Sequence, residues 1–126
     1  MNTHPKIKAL GHLNDVRSYL AIADIFVFPS YREGFPNVVM QAGAMGIPCI
    51  VSDINGCNEI IKNNINGIII PPKNSILLSR TILNLLNNPS IIEDLAKNSR
   101  KQITDNYKNT YIWTEIHNQY KEALKQ

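Results

Sequence analysis

The chain has 126 residues, enough for one domain or a piece of one, and its hydrophobic content of 44% is ordinary for a globular protein. Its net charge of +3 is small and scattered, which argues against a nucleic-acid-binding protein. No stretch approaches the ~20 apolar residues of a membrane span, the first residues lack a signal-peptide core, and two cysteines without clustered histidines do not indicate a zinc site. A cytoplasmic, reduced protein fits these features best.

The first half of the chain predicts strands that alternate with helices. The predicted strands are residues 7–10, 25–28, 47–51 and 68–70. The helices between them are predicted to begin at Asn14 or Asp15, at Asn37 and at Asn58. Because residues 47–51 form an apolar run without alternation, we expect that strand to be buried on both faces, as in a parallel sheet.

The second half predicts three helices over about residues 75–124. Ser75 and Ser90 are placed to cap the first two of them. An apolar stripe at helical spacing marks the last helix, and we expect it in the core: Trp113, Ile116, Tyr120 and Leu124. The fold class is therefore α/β, a Rossmann-like parallel sheet of four strands followed by C-terminal helices.

Ligands of such sheets bind beyond the carboxyl ends of the strands, where the loops at 11–14, 29–37 and 52–58 are predicted to meet. The second of these loops leads from a buried strand into a helix that Asn37 is predicted to cap and that Gly46 and Pro48 end. Unpaired N–H groups at a helix start suit an anion such as a diphosphate. Glu33 and Gln41 flank the place where it would bind.

Several segments in this order and spacing carry a family resemblance: residues 23–30, 33–36 and 46–48, then Gly56, Glu59 and Gly67, and the tail around Tyr111, Trp113 and Tyr120. From about Ile7 to its end, the chain resembles the C-terminal half of retaining glycosyltransferases of family 4, or group 1, which have the two-domain GT-B fold. We therefore expect residues 1–126 to be a partial C-terminal nucleotide-sugar-binding domain of that fold.

The resemblance implies a site for a sugar nucleotide, with Glu33 as the catalytic residue on the donor sugar hydroxyls. The backbone of Gly34, Phe35 and Pro36 would touch the same sugar, and the helix start at Asn37, Val38 and Val39 would hold the diphosphate. The second glutamate of the family motif, which binds the ribose, is Gln41 here. A neutral amide weakens that contact by on the order of 1 kcal/mol, because hydrogen bonds to charged groups are stronger. No cofactor or metal is expected.

The resemblance assigns further residues to the donor site, each with a simpler alternative. Glu59 is as well placed to cap its own helix, three residues after Gly56, as to contact the donor. Gly56 and Gly34 serve either a positive φ or a close approach to a ligand. Ser30 either contacts the donor or forms a hydrogen bond within the loop. His12 and Leu13 follow the first strand, where the family's backbone contacts the nucleobase; the alternative for His12 is a loop histidine without a specific contact to the base.

The family's enzymes also have an N-terminal domain that carries the acceptor site, and no such segment is recognisable in these residues. We therefore expect a fragment of a hexosyltransferase that is inactive alone, that self-associates through an uncovered sheet edge, and whose full enzyme associates peripherally with the inner surface of a membrane. The expected partners are a nucleotide sugar and a glycan or lipid-linked acceptor, not nucleic acid. Two alternatives stay open: a non-catalytic sugar-nucleotide-binding module or decayed enzyme, and an unrelated doubly wound domain.

Overall fold

A computed structural model describes residues 4–125. Within these residues three parallel strands form the sheet: β1 (Phe26–Phe28), β2 (Cys49–Ser52) and β3 (Gly67–Ile70), in the order β1-β2-β3. The same described range contains six helices: α1 (Arg17–Leu20), α2 (Asn37–Ala44), α3 (Cys57–Ile60), α4 (Ser75–Leu86), α5 (Pro89–Asn106) and α6 (Asn109–Ala123). The α/β architecture with C-terminal helices is confirmed.

The fourth predicted strand, residues 7–10, is wrong. These residues form no strand and lie apart from the sheet, with Ile7 62% exposed. A strand needs a neighbour to accept and donate its backbone hydrogen bonds, and β1 pairs only with β2 among the described strands. The apolar residues at 7–10 gave a strand-like pattern without a partner strand.

The core lies on both faces of β2, all four of whose residues are buried. On one face Cys49 and Val51 pack with Val39 of α2, Ile60 of α3 and Ile103 of α5. On the other face Ile50, Ile70, Leu85 and Leu95 form a second cluster beneath α4 and α5. The prediction of a central strand buried on both faces is confirmed, and the two layers fix the carboxyl ends of the strands at one edge.

The helix starts differ from prediction by one or two residues. Asn37 is the first residue of α2 rather than its cap, and Pro36 precedes it. Asn74 caps α4 instead of Ser75, since its side chain accepts a hydrogen bond from the Leu77 N–H at 2.9 Å. Ser90 lies inside α5, which begins at Pro89, a favoured first residue because its nitrogen lacks the hydrogen that would go unpaired there.

Gly43 allows α2 to pack closely on α5. A β-carbon at Gly43 would lie 2.8 Å from Cγ1 of Ile103 and 3.2 Å from Oγ of Ser99. Both side chains belong to α5 and are buried. Helix α2 is therefore held between the sheet and α5.

Helix α6 is the largest departure from prediction, because none of its residues is buried. Its apolar stripe was expected in the core, but Trp113 is 69% exposed and Tyr120 is 68% exposed. A stripe at helical spacing shows that a helix has an apolar face, not that the same chain covers it. No helix in the described part of the chain is long and apolar enough to cross a membrane.

Candidate functional site

Glu33 lies in the loop that follows β1, held by a neighbouring hydroxyl. Oγ of Ser30 donates a hydrogen bond to Oε1 of Glu33 at 2.8 Å, which confirms that Ser30 bonds within the loop. Glu33 lines an open cleft of about 680 Å³, the Glu33 cleft, with Tyr31, Arg32 and Gly34 from its own loop and Asn55 from the loop after β2. The carboxylate is thus partly fixed before any ligand binds, with several polar groups around the same space.

Gly56 joins the loop after β2 to the loop that carries Glu33. Its φ is +79°, and a β-carbon there would lie 2.2 Å from the carbonyl oxygen of Gly34. The positive φ predicted as one alternative for this glycine is confirmed, and the close approach that it allows is to another backbone segment and not to a ligand. Gly34 itself has open space where a β-carbon would stand and shows no positive φ.

Glu59 caps its own helix, as one of its two alternatives predicted. Its Oε1 accepts a hydrogen bond from the Gly56 N–H at 3.3 Å. Tyr107, the residue that follows α5, bonds to the same helix, since its hydroxyl donates to the Glu59 carbonyl at 3.2 Å. The Tyr107 ring also packs on Phe35, with 5.8 Å between the ring centroids. Glu59, Tyr107 and Phe35 thus brace the outside of the loop rather than line the Glu33 cleft.

The first turn of α2 presents two unpaired N–H groups, not three. The Val39 N–H donates to the Pro36 carbonyl at 3.0 Å, and the Val39 side chain is fully buried. The N–H groups of Asn37 and Val38 have no acceptor among residues 4–125. Because unpaired N–H groups at a helix start carry partial positive charge, these two amides suit an anion.

Gln41 lies one helical turn after Asn37 and lines the same cleft, as expected of residues four apart. This cleft, the Gln41 cleft, measures about 590 Å³ and also includes Leu13 and Val38. His12 is exposed and does not line it. Six of the predicted donor residues therefore line one of two clefts: Glu33 and Gly34 the Glu33 cleft, and Leu13, Asn37, Val38 and Gln41 the Gln41 cleft. The other predicted residues line neither: His12, Ser30, Phe35, Pro36, Val39, Gly56 and Glu59.

An ion pair that sequence reasoning missed forms one wall of the Gln41 cleft. Arg17 donates to both carboxylate oxygens of Asp15, from Nη2 at 2.7 Å and from Nε at 2.9 Å and 3.1 Å. These hydrogen bonds lower the pKa of Asp15 to about 2. Asp15 was interpreted as a helix cap, and its Oδ1 does accept from the Arg17 N–H at 2.9 Å. The sequence signal for this ion pair was the presence of opposite charges two residues apart, next to a loop that is predicted to lie at the ligand-binding edge of the sheet.

The two cysteines are free thiols in the core below the site. Burial raises the pKa of Cys57, with a further contribution from the charge of Glu33, and burial beside Cys57 raises the pKa of Cys49 to about 12. Both sulfurs are therefore protonated near neutral pH, and a protonated thiol is a weak nucleophile. Within the part of the chain that the structure describes, no three His, Cys, Asp or Glu side chains are grouped to bind a metal.

Comparison with known proteins relates this site to one family. The family model described as "Glycosyl transferases group 1" matches residues 2–102. A Campylobacter jejuni N,N'-diacetylbacillosaminyl-diphospho-undecaprenol alpha-1,3-N-acetylgalactosaminyltransferase is 43% identical over 90 residues, 71% of this chain and 24% of that protein. An Escherichia coli UDP-Gal:alpha-D-GlcNAc-diphosphoundecaprenol alpha-1,3-galactosyltransferase is 35% identical over 107 residues, 85% of this chain and 27% of that protein.

A solved glycosyltransferase structure also matches most of this chain. The Rickettsia africae glycosyltransferase superposes with a TM-score of 0.87 at 26% identity, over 97% of this chain and 33% of that one. The chain thus spans between about a quarter and a third of the length of the curated relatives it matches. Matches of this extent exclude the alternative that the chain is an unrelated doubly wound domain.

Proposed function

The chain belongs to the group 1 glycosyltransferases, and from that premise we propose that it is the donor-binding part of an enzyme that transfers a hexose from a nucleoside-diphosphate sugar. The observation that carries the proposal is that the Asn37 and Val38 N–H groups have no acceptor among residues 4–125 and that both residues line the Gln41 cleft, while Glu33, four residues before Asn37, lines a cleft of its own. Each part suits a different part of one ligand. The nucleoside binds in the Gln41 cleft, the diphosphate at the amides and the sugar at Glu33.

Transfer breaks the bond between the sugar's anomeric carbon and the diphosphate, and an acceptor hydroxyl forms the new bond and loses its proton. Negative charge grows on the departing diphosphate, where the Asn37 and Val38 N–H groups would stabilise it. Donors that are already in position need no reorganisation during the reaction. Glu33, held by Ser30, fixes the sugar hydroxyls so that the anomeric carbon faces the acceptor. We propose that the configuration is retained, as in the family that the motif resembles.

The acceptor in this proposal is a glycan or a lipid-linked sugar. The names of the Campylobacter and Escherichia relatives both specify a diphosphoundecaprenol-linked sugar as the acceptor, which supports this class. Such an acceptor would bring the whole enzyme to the membrane surface, where we propose that it works on the cytoplasmic side. Acceptor binding by residues outside this chain belongs to the same proposal.

A second candidate function has one observation in its favour, the amide at position 41. If the ribose contact is too weak for turnover, the chain is a sugar-nucleotide-binding module without catalysis.

We expect Gln41→Glu to tighten nucleotide binding by about tenfold, because a carboxylate forms stronger hydrogen bonds to the two ribose hydroxyls than an amide does. Isothermal titration of both proteins with UDP measures it, and Gln102→Glu on α5 provides a control for added charge. Equal affinity of Gln41→Glu and the native chain would remove Gln41 from the ribose site.

The proposed function itself is tested by titrating the chain with a panel of nucleotide sugars, beginning with UDP-galactose because the Escherichia relative's name specifies it. We expect saturable binding of at least one nucleotide sugar with a Kd in the micromolar to millimolar range, as for enzyme substrates in general. Absence of binding to every uridine, guanosine and adenosine diphosphate sugar would overturn the proposal.

A further inference from the structure

A third cavity, which we call the strand-end cavity, opens outside the two clefts assigned to the donor. It has a volume of about 420 Å³ and lies where the strands finish: Pro29 follows β1, Ser52 ends β2 and Ile70 ends β3. Leu78 of α4 contributes to its wall. In open parallel sheets this edge is where ligands bind, and the volume is within the usual range for small-molecule sites.

The lining of this cavity suits the apolar face of a sugar ring. Pro29, Ile70 and Leu78 provide an apolar wall, and Ser52, which is only 1% exposed, adds a polar group. Tyr31 is 66% exposed and presents an aromatic face. The face of an aromatic ring carries partial negative charge, which attracts the slightly positive C–H groups on one side of a hexose.

The charge of the lining residues indicates which class of ligand the strand-end cavity can bind. Of the described residues that line the cavity, Lys73 is the only charged one, and none of them is a carboxylate that could neutralise it. Its Nζ lies 5.7 Å from the centroid of the Tyr31 ring. A ligand with a negative group would draw this ammonium towards itself and leave the ring free for the sugar. A neutral sugar would have to compete with the ammonium for the same ring.

The position of the cavity links it to the reaction, because Tyr31 also lines the Glu33 cleft. We propose that the strand-end cavity binds a sugar ring that carries a negatively charged substituent, phosphate or carboxylate, as part of the acceptor. This proposal rests on the proposed function, since only a transfer reaction needs a second sugar beside the donor. It assigns acceptor recognition to Tyr31 and Lys73 of this chain, in addition to any residues elsewhere in the enzyme.

The test titrates the 126-residue chain with glucose 1-phosphate, glucuronate, glucose and inorganic phosphate, followed by amide chemical shifts. We expect one or both charged sugars to bind at least fivefold more tightly than glucose and than inorganic phosphate, with shifts at Tyr31 and Lys73. The comparison of the two charged sugars shows whether phosphate or carboxylate is preferred. Lys73→Met, which keeps the length of the side chain, is expected to weaken binding about fivefold, whereas Lys97→Met, at an exposed lysine of α5, leaves it unchanged.

Two outcomes overturn the proposal. One is equal binding of charged and neutral sugars, or no binding of either. The other is binding of inorganic phosphate as tight as that of glucose 1-phosphate and unaffected by Tyr31→Ser, which would describe an anion site without sugar recognition. Titration of the same sample with UDP-galactose separates this failure from failure of the proposed function. If the nucleotide sugar binds and the charged sugars do not, only the acceptor proposal is wrong.

Discussion

Replacing Gly56 with alanine is expected to lower the free energy of unfolding by about 3 kcal/mol or more. A left-handed backbone costs an alanine about 1–2 kcal/mol, and Gly56 has a φ of +79°. The new β-carbon would also lie 2.2 Å from the Gly34 carbonyl oxygen, so the two loops must separate. Urea denaturation followed by circular dichroism measures the change.

Gly11→Ala is the matched control for that substitution. Gly11 has a φ of +68°, but in residues 4–125 no atom beyond its two chain neighbours lies within 4 Å of its would-be β-carbon. It therefore carries the cost of backbone strain without the collision, and we expect a loss of about 1 kcal/mol. Equal losses at both positions would show that the contact between Gly56 and Gly34 does not stabilise the protein. Because that contact sets the position of the Glu33 loop, Gly56→Ala is expected to weaken nucleotide-sugar binding as well.

Glu33→Gln is expected to weaken the binding of a nucleotide sugar by about 10- to 100-fold and to leave the binding of the free nucleoside diphosphate unchanged. The physical reason is the loss of charge-assisted hydrogen bonds to the sugar hydroxyls, each worth about 1.5–3 kcal/mol. The amide oxygen can still accept from Ser30, which lies 2.8 Å away, so the loop should keep its shape. Isothermal titration with UDP-galactose and with UDP gives the two affinities.

The difference between the two ligands is the informative quantity for Glu33. Glu93→Gln removes a carboxylate from the exposed surface of α5 and should affect neither ligand. An equal loss of affinity for UDP and for UDP-galactose would show that Glu33 acts through overall charge or loop structure and not through a contact with the sugar. No loss for either would remove Glu33 from the sugar site.

Local chemistry made much of the donor edge predictable. The run at 25–28, the loop with Glu33 and the stop at Gly46 fixed a strand, a loop and a helix within two residues of their positions. The alternation of strands and helices then placed the loops after β1 and β2 at one edge, where the structure brings Gly34 and Gly56 together. These predictions succeeded because neighbouring residues determine them.

The predictions that failed depend on partners that a local pattern does not specify. Residues 7–10 lack a neighbouring strand, and the apolar face of α6 has no covering element among residues 4–125. Asn66 lies in the turn before β3, and its full burial is not visible in the local pattern: its side chain accepts a hydrogen bond from the Lys62 N–H at 2.6 Å and donates one to the Ile60 carbonyl at 3.1 Å. Its role depends on the path of the loop around it, as does the division of the donor residues between two clefts.

The most direct test of a donor site at the start of α2 is a backbone amide spectrum of the ¹⁵N-labelled chain during titration with UDP and then with UDP-galactose. We expect UDP to shift the Asn37 and Val38 amides together with that of Gln41, and UDP-galactose to add shifts at Glu33 and Gly34. Saturating UDP-galactose that leaves the Asn37 and Val38 amides unmoved, or that shifts only residues outside both clefts, would contradict a donor site at the start of α2.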